Sequence, residues 1–90
     1  MDINIQDPSK LISDGNSLAS TGSNFKKEVD NIYMIIDDLK NSWTGESATR
    51  YTDNVESYKQ DLEEFAKAVQ EFGNLISAVG TDYVNLESEM

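Results

Sequence analysis

The chain has 90 residues, 17 of them acidic and 7 basic, for a net charge of −10, and it contains neither cysteine nor histidine. Its length allows one domain with a modest core, which makes a dimer the natural expectation, and its charge repels phosphate backbones and anionic membrane surfaces, which argues against nucleic-acid binding. Without Cys or His there is no disulfide, no thiolate or imidazole metal site, no Cys nucleophile and no Ser-His relay, so most familiar enzyme chemistry is excluded.

Residues 1–6 have no sustained period and read as a flexible lead. This start lacks the basic and apolar regions of a signal peptide, and the longest apolar run, residues 32–36, falls far short of the roughly 20 residues that span a bilayer. Neither signal-peptide export nor direct membrane insertion is encoded. Asp7-Pro8 then signals a helix start, with an Asp side chain to accept free amides and a Pro suited to the first helical position. The first helix is expected over about 7–41. Leu11, Leu18, Phe25, Ile32 and Leu39 recur every seven residues, and Gly15, Gly22, Val29, Ile36 and Trp43 follow each by four, which makes a helical stripe. Two interior glycines each cost about 1 kcal/mol relative to Ala, and their use would be to let another backbone approach. Tyr33 and Ile35 widen the stripe, so that it can face two neighbours.

Trp43-Thr44-Gly45 lies at mid-chain and marks a bend over 42–46, with Gly supplying the permissive backbone, Thr44 a cap, and Glu46 a favourable charge in the next first turn. The second helix is expected over about 46–86. Ala48, Tyr51, Val55, Tyr58, Leu62, Phe65, Val69, Phe72, Ile76, Val79, Tyr83 and Leu86 alternate spacings of 3 and 4 without a polar interruption, and charged residues fill the other face. Gly73 and Gly80 lower helix propensity late in this segment, so the stretch from Thr81 to Met90 is expected to fray in the free chain and order on binding as a docking tail, with 88–90 as a short C-terminal end. The fold implied is all-α: an antiparallel two-helix hairpin over 7–87, roughly 45 to 60 Å long at about 1.5 Å per residue. A lone hairpin leaves part of so wide an apolar band wet, and pairing into a dimeric four-helix bundle covers it, with Phe25, Val29, Ile32, Ile36, Leu62, Phe65 and Val69 as the packing residues.

Trp43 and Gly45 have a structural role at the bend, and the position of the pair at a hairpin tip leaves ring surface for a partner. Tyr83 and Glu87 stand four apart on one helical face near the C-terminus, where Tyr83 also continues the apolar stripe. Asp37-Asp38 and Glu63-Glu64 lack the ligand spacing and central Gly of a calcium loop, and neighbours on a helix point about 100° apart, so a solvated acidic face is expected. No catalytic residue, metal site or cofactor is expected, and the chain reads as a binding protein rather than an enzyme.

Trp43-Thr44-Gly45 between two long apolar-striped helices, in a chain of this length, resembles the WXG family of early-secreted-antigen-like proteins, over residues 7–87. The resemblance implies a small hairpin exported by a type VII (Esx-like) secretion machine of Gram-positive or actinobacterial cells, cytoplasmic before export and secreted without a cleavable signal peptide. It implies a homodimer or a WXG-type heterodimer recognised by the motor ATPase of that machine, or else a dedicated chaperone or targeting partner of a larger co-secreted toxin. Family members or their partners often carry a Tyr-x-x-x-Asp/Glu export motif after the second helix, which Tyr83-Val84-Asn85-Leu86-Glu87 matches. By the same resemblance, Trp43, Gly45, Tyr83 and Glu87 carry recognition, with the bend of one subunit beside the Tyr-containing end of an antiparallel partner.

Overall fold

Asp7 opens the first helix, α1 (Pro8–Ser42), by accepting the Lys10 backbone N–H at 3.1 Å, with Pro8 in the first turn where its missing N–H costs nothing. At the other end the Trp43 N–H donates to the Leu39 carbonyl at 2.8 Å, and Lys40 lies in the last turn, where a cation favours the helix dipole. This structure, a computed structural model, describes residues 5–88; the expectations for 1–4 of the lead and for 89–90 lie outside that range.

The chain leaves α1 through Trp43 and Thr44 and enters α2 (Glu46–Glu56) at Gly45. Thr44 was expected as the cap. Instead Gly45 takes the capping position at φ 115°, ψ 172°, with no side-chain hydrogen bond, because the sharp reversal demands a backbone conformation that is essentially glycine's alone. The second arm also departs from the single helix expected: it is interrupted at Ser57 and Tyr58 before resuming as α3 (Lys59–Ser88). α3 runs through Thr81 to Ser88. Packing against α1 overrides the low propensity of Gly73 and Gly80.

The arms lie antiparallel in a rod of 68 × 22 × 15 Å, and no described residue forms a strand. The line of closest approach runs through Gly15, Gly22 and Val29 of α1 and Ala66, Gly73 and Gly80 of α3, all buried and spaced by seven. Residues seven apart drift only about 20° around a straight helix, so each set forms one seam. The backbones nearly touch there: a Cβ built on Gly15 would sit 2.5 Å from the Ser77 nitrogen, and one on Gly73 would sit 2.4 Å from the Ala19 nitrogen. The small residues are therefore the seam itself, and the large apolar side chains are pushed to its flanks.

Of the residues expected to hold the bundle, Val29 is buried within the single chain and Phe25, Ile36, Leu62 and Val69 are half-buried. Ile32 and Phe65 are 44% and 60% exposed. Among the described residues, no helix is long and apolar enough to cross a membrane.

Candidate functional site

The Phe25 and Phe65 rings meet edge to face, centroids 5.9 Å apart, which sets the large apolar lines of the two arms on the same side of the rod. On α1 that line is Leu11, Leu18, Phe25, Ile32 and Leu39. On the second arm it is double: Val55, Leu62, Val69, Ile76 and Tyr83 next to the seam, and Tyr51, Tyr58, Phe65, Phe72, Val79 and Leu86 further out, every one of the outer set exposed. The opposite side carries polar pairs, with the Ser77 hydroxyl donating to the Asn16 side-chain oxygen at 2.9 Å and Lys40 paired with Glu56, beside exposed Met34 and Leu75. A compact chain of this mass exposes roughly 5,300 Å² of surface. This rod, 68 × 22 × 15 Å, exposes 6891 Å².

At the bend, the Trp43 indole stacks on the Tyr51 ring with centroids 6.3 Å apart and planes 17° from parallel. Trp43 remains 42% exposed. The Arg50 guanidinium lies 5.6 Å from the Tyr51 centroid, so indole, phenol and cation form one exposed aromatic cap. Beside it a cleft of about 240 Å³ is lined by Lys40, Trp43, Thr44, Gly45, Ala48, Thr49, Thr52 and Asp53. Nothing within 4 Å would meet a Cβ on Gly45, so its role is its backbone geometry rather than close packing.

At the far end of the rod, Tyr83 is half-buried and Glu87 exposed on the last turns of α3. The Glu87 carboxylate, by hydrogen bonding and by its charge, holds the Tyr83 phenol above its ordinary range, with burial adding to the shift. Ile5 of the lead comes down beside Val79, Asp82, Tyr83 and Leu86 to line a largely apolar cleft of about 270 Å³. Within one chain the structure therefore does not bring Trp43 and Gly45 together with Tyr83 and Glu87, since an antiparallel hairpin puts its bend and its C-terminus at opposite ends.

Sequence reasoning placed Tyr33 only as a widening of the apolar stripe. The structure makes it a junction residue: nearly buried at 5% exposure, its hydroxyl donates to the Val55 carbonyl at 2.7 Å, and the Lys59 ammonium lies 5.5 Å from its ring centroid. Burial, then the charges of Glu56 and Glu63, push its phenol pKa up. The stacking of Tyr51 on Trp43 was likewise unread, because it depends on the path of the chain through Gly45.

Comparison with curated proteins gives no match. A family model described as WXG100, proteins of 100 residues with WXG, matches residues 5–88, which takes in both arms, the Trp43-Thr44-Gly45 bend and the Tyr83 to Glu87 segment. The chain belongs to the WXG100 family.

Proposed function

We propose that this chain is a small type VII secretion substrate that acts by protein–protein binding, as a dimer, and that the secretion motor reads its exposed tip and its C-terminal Tyr-x-x-x-Glu segment. WXG100 proteins are in general small secreted type VII substrates that form dimers. The observation that carries the reading for this chain is the one-sided apolar face. Its exposed side chains amount to on the order of 1,000 Å² per protomer, against about 800 Å² per partner in a standard stable interface. A surface of that size is costly to leave in water and is the right size for one partner.

The occupant that fits is a second copy, laid antiparallel. Phe25 is the midpoint residue of α1 and contacts Phe65, so a two-fold axis passing beside this pair overlaps the two rods along their length and gathers four Phe rings at the centre. Along α1, Asp14 then lies level with Ile36 of the other copy, and Glu28 level with its Gly22, so these acidic side chains are not set against each other. The same arrangement lays each Trp43 tip beside the other copy's Tyr83 end. No enzymatic step is assigned to the chain.

Export of separate Trp43→Ala and Tyr83→Ala variants tests the reading, with folding followed by circular dichroism on the same proteins. The proposal expects both to be retained in the cell while their helical content and melting stay close to those of the parent chain. Normal export of both variants, or loss of export only in step with loss of folding, would contradict it.

A further inference from the structure

The second arm breaks at Ser57 and Tyr58, where there is neither Pro nor Gly. Such interruptions have a short set of causes, and one is a side chain inserted into the helical hydrogen-bond ladder. Tyr33 supplies it. Its hydroxyl, projecting from α1, donates to the Val55 carbonyl at 2.7 Å, and that carbonyl also receives the Tyr58 N–H in a tightened three-residue turn at 3.2 Å. The Ser57 hydroxyl closes the same turn by donating to the Asn54 carbonyl at 2.6 Å.

What holds α2 to α1 is otherwise slight. Ala48 and Thr52 are its buried residues, both small, and the Thr52 hydroxyl is spent inside its own helix on the Ala48 and Thr49 carbonyls at 3.0 and 3.2 Å. Lys40 reaches Glu56 at the surface, where ion pairs contribute little. At its other end α2 is joined to α1 through the bend at Gly45, whose φ is 115°. A short helix carrying Tyr51 and Glu56 thus lies between the Gly45 bend and the Ser57–Tyr58 interruption, with the Trp43–Tyr51 stack at its outer end.

We infer that the Tyr33 hydroxyl is a latch across a hinge at Ser57 and Tyr58, and that it sets the orientation of α2 and with it the Trp43–Tyr51 aromatic tip. Tyr33 is a positioning residue. It acts through the Val55 carbonyl, four residues along the chain from Tyr51 and twelve from Trp43, while the glycine seam between α1 and α3 holds the rest of the rod independently. The bearing of the latch on export rests on the reading of Trp43 as a recognition residue; the latch itself does not, and is measured without export.

The test is Tyr33→Phe in the full chain, which removes one oxygen and keeps the ring under Lys59. Site-resolved amide hydrogen exchange is expected to show residues 46–60 exchanging about three- to tenfold faster, the change that loss of one net hydrogen bond corresponds to, with residues around Gly15, Gly22, Gly73 and Gly80 unchanged. Quenching of Trp43 fluorescence by acrylamide should rise in parallel, and Trp43 is the chain's one tryptophan, so the signal is unambiguous. Lys40→Met is the companion variant, expected to loosen the same segment less. Unchanged exchange over 46–60 in Tyr33→Phe would overturn the latch. So would a uniform acceleration across the whole rod, which would make Tyr33 an ordinary core residue, or a larger local effect from Lys40→Met.

Discussion

Replacing Gly73 by Ala sets two effects of opposite sign against each other. In an exposed helix the change gains about 1 kcal/mol through helix propensity. Here the new Cβ would lie 2.4 Å from the Ala19 nitrogen, 2.5 Å from the Gly15 carbonyl oxygen and 3.0 Å from the Ala19 Cα, all main-chain atoms that cannot rotate away. Ordinary contact requires the two helices to separate by about 1 Å, and a gap of that size forfeits a quarter to a half of each dispersion contact along the seam. Overpacking of this kind costs about 1–3 kcal/mol, and without side-chain relief the upper part of that range applies. The net expectation is a loss of about 1–2 kcal/mol, or a melting temperature lower by roughly 5–15 °C for a domain of this size. Thermal unfolding followed by circular dichroism at fixed protomer concentration measures it. Gly80→Ala is the internal control, because its Cβ would meet the Ile12 side chain at Cγ1, 2.7 Å away, while the nearest main-chain atoms lie at 3.3 Å, and a smaller loss is expected. A Gly73→Ala chain that melts higher than the parent would refute the close-packed seam.

Phe72→Asp places a charge in the outer apolar line, where the ring is 55% exposed. Losing the burial of that ring on both copies removes about 2 kcal/mol or more of association free energy and weakens the dimer at least about thirtyfold, readable by sedimentation equilibrium. The chain has no native cysteine, so single cysteines report geometry cleanly. Phe25→Cys should oxidise to a disulfide-linked dimer with itself, whereas Leu11→Cys should link to Leu39→Cys in a mixed sample and not to itself; self-linking of Leu11→Cys would mean a parallel pair. The phenols of Tyr33 and Tyr83 are both held above the ordinary 10.0. A raised folded-state value stabilises the folded chain fully below the unfolded pKa, and the contribution disappears as pH rises through the folded value. Stability should therefore fall above pH 10, and Tyr33→Phe and Tyr83→Phe should each flatten that fall in alkaline denaturation monitored by ellipticity.

The hairpin was legible because its signals are local: Asp7-Pro8 sets a start, the apolar periods set two helices, and Gly45 supplies the reversal. The composition of the seam was legible only in part. Glycines at 15 and 22 could be read as places of close approach, but the matching line on the other arm, Ala66, Gly73 and Gly80, lies one position from the apolar stripe and has no hydrophobic signal to announce it. Periodicity ranks positions by side-chain apolarity, and this seam is made by the absence of side chains. Thr44 failed as a cap because the reversal selects backbone freedom over a hydroxyl. The interruption at Ser57 and Tyr58 had no local signal at all, since its cause is a hydroxyl 22 residues earlier in the chain from the carbonyl it engages.

The claim on which the functional reading stands is that the apolar face is covered by a second molecule of this chain. Sedimentation equilibrium of the purified protein at micromolar concentration measures this directly. The account predicts a single species of about twice 10.1 kDa with stable helical ellipticity. A cooperatively folded species of 10.1 kDa across the whole concentration range would contradict it.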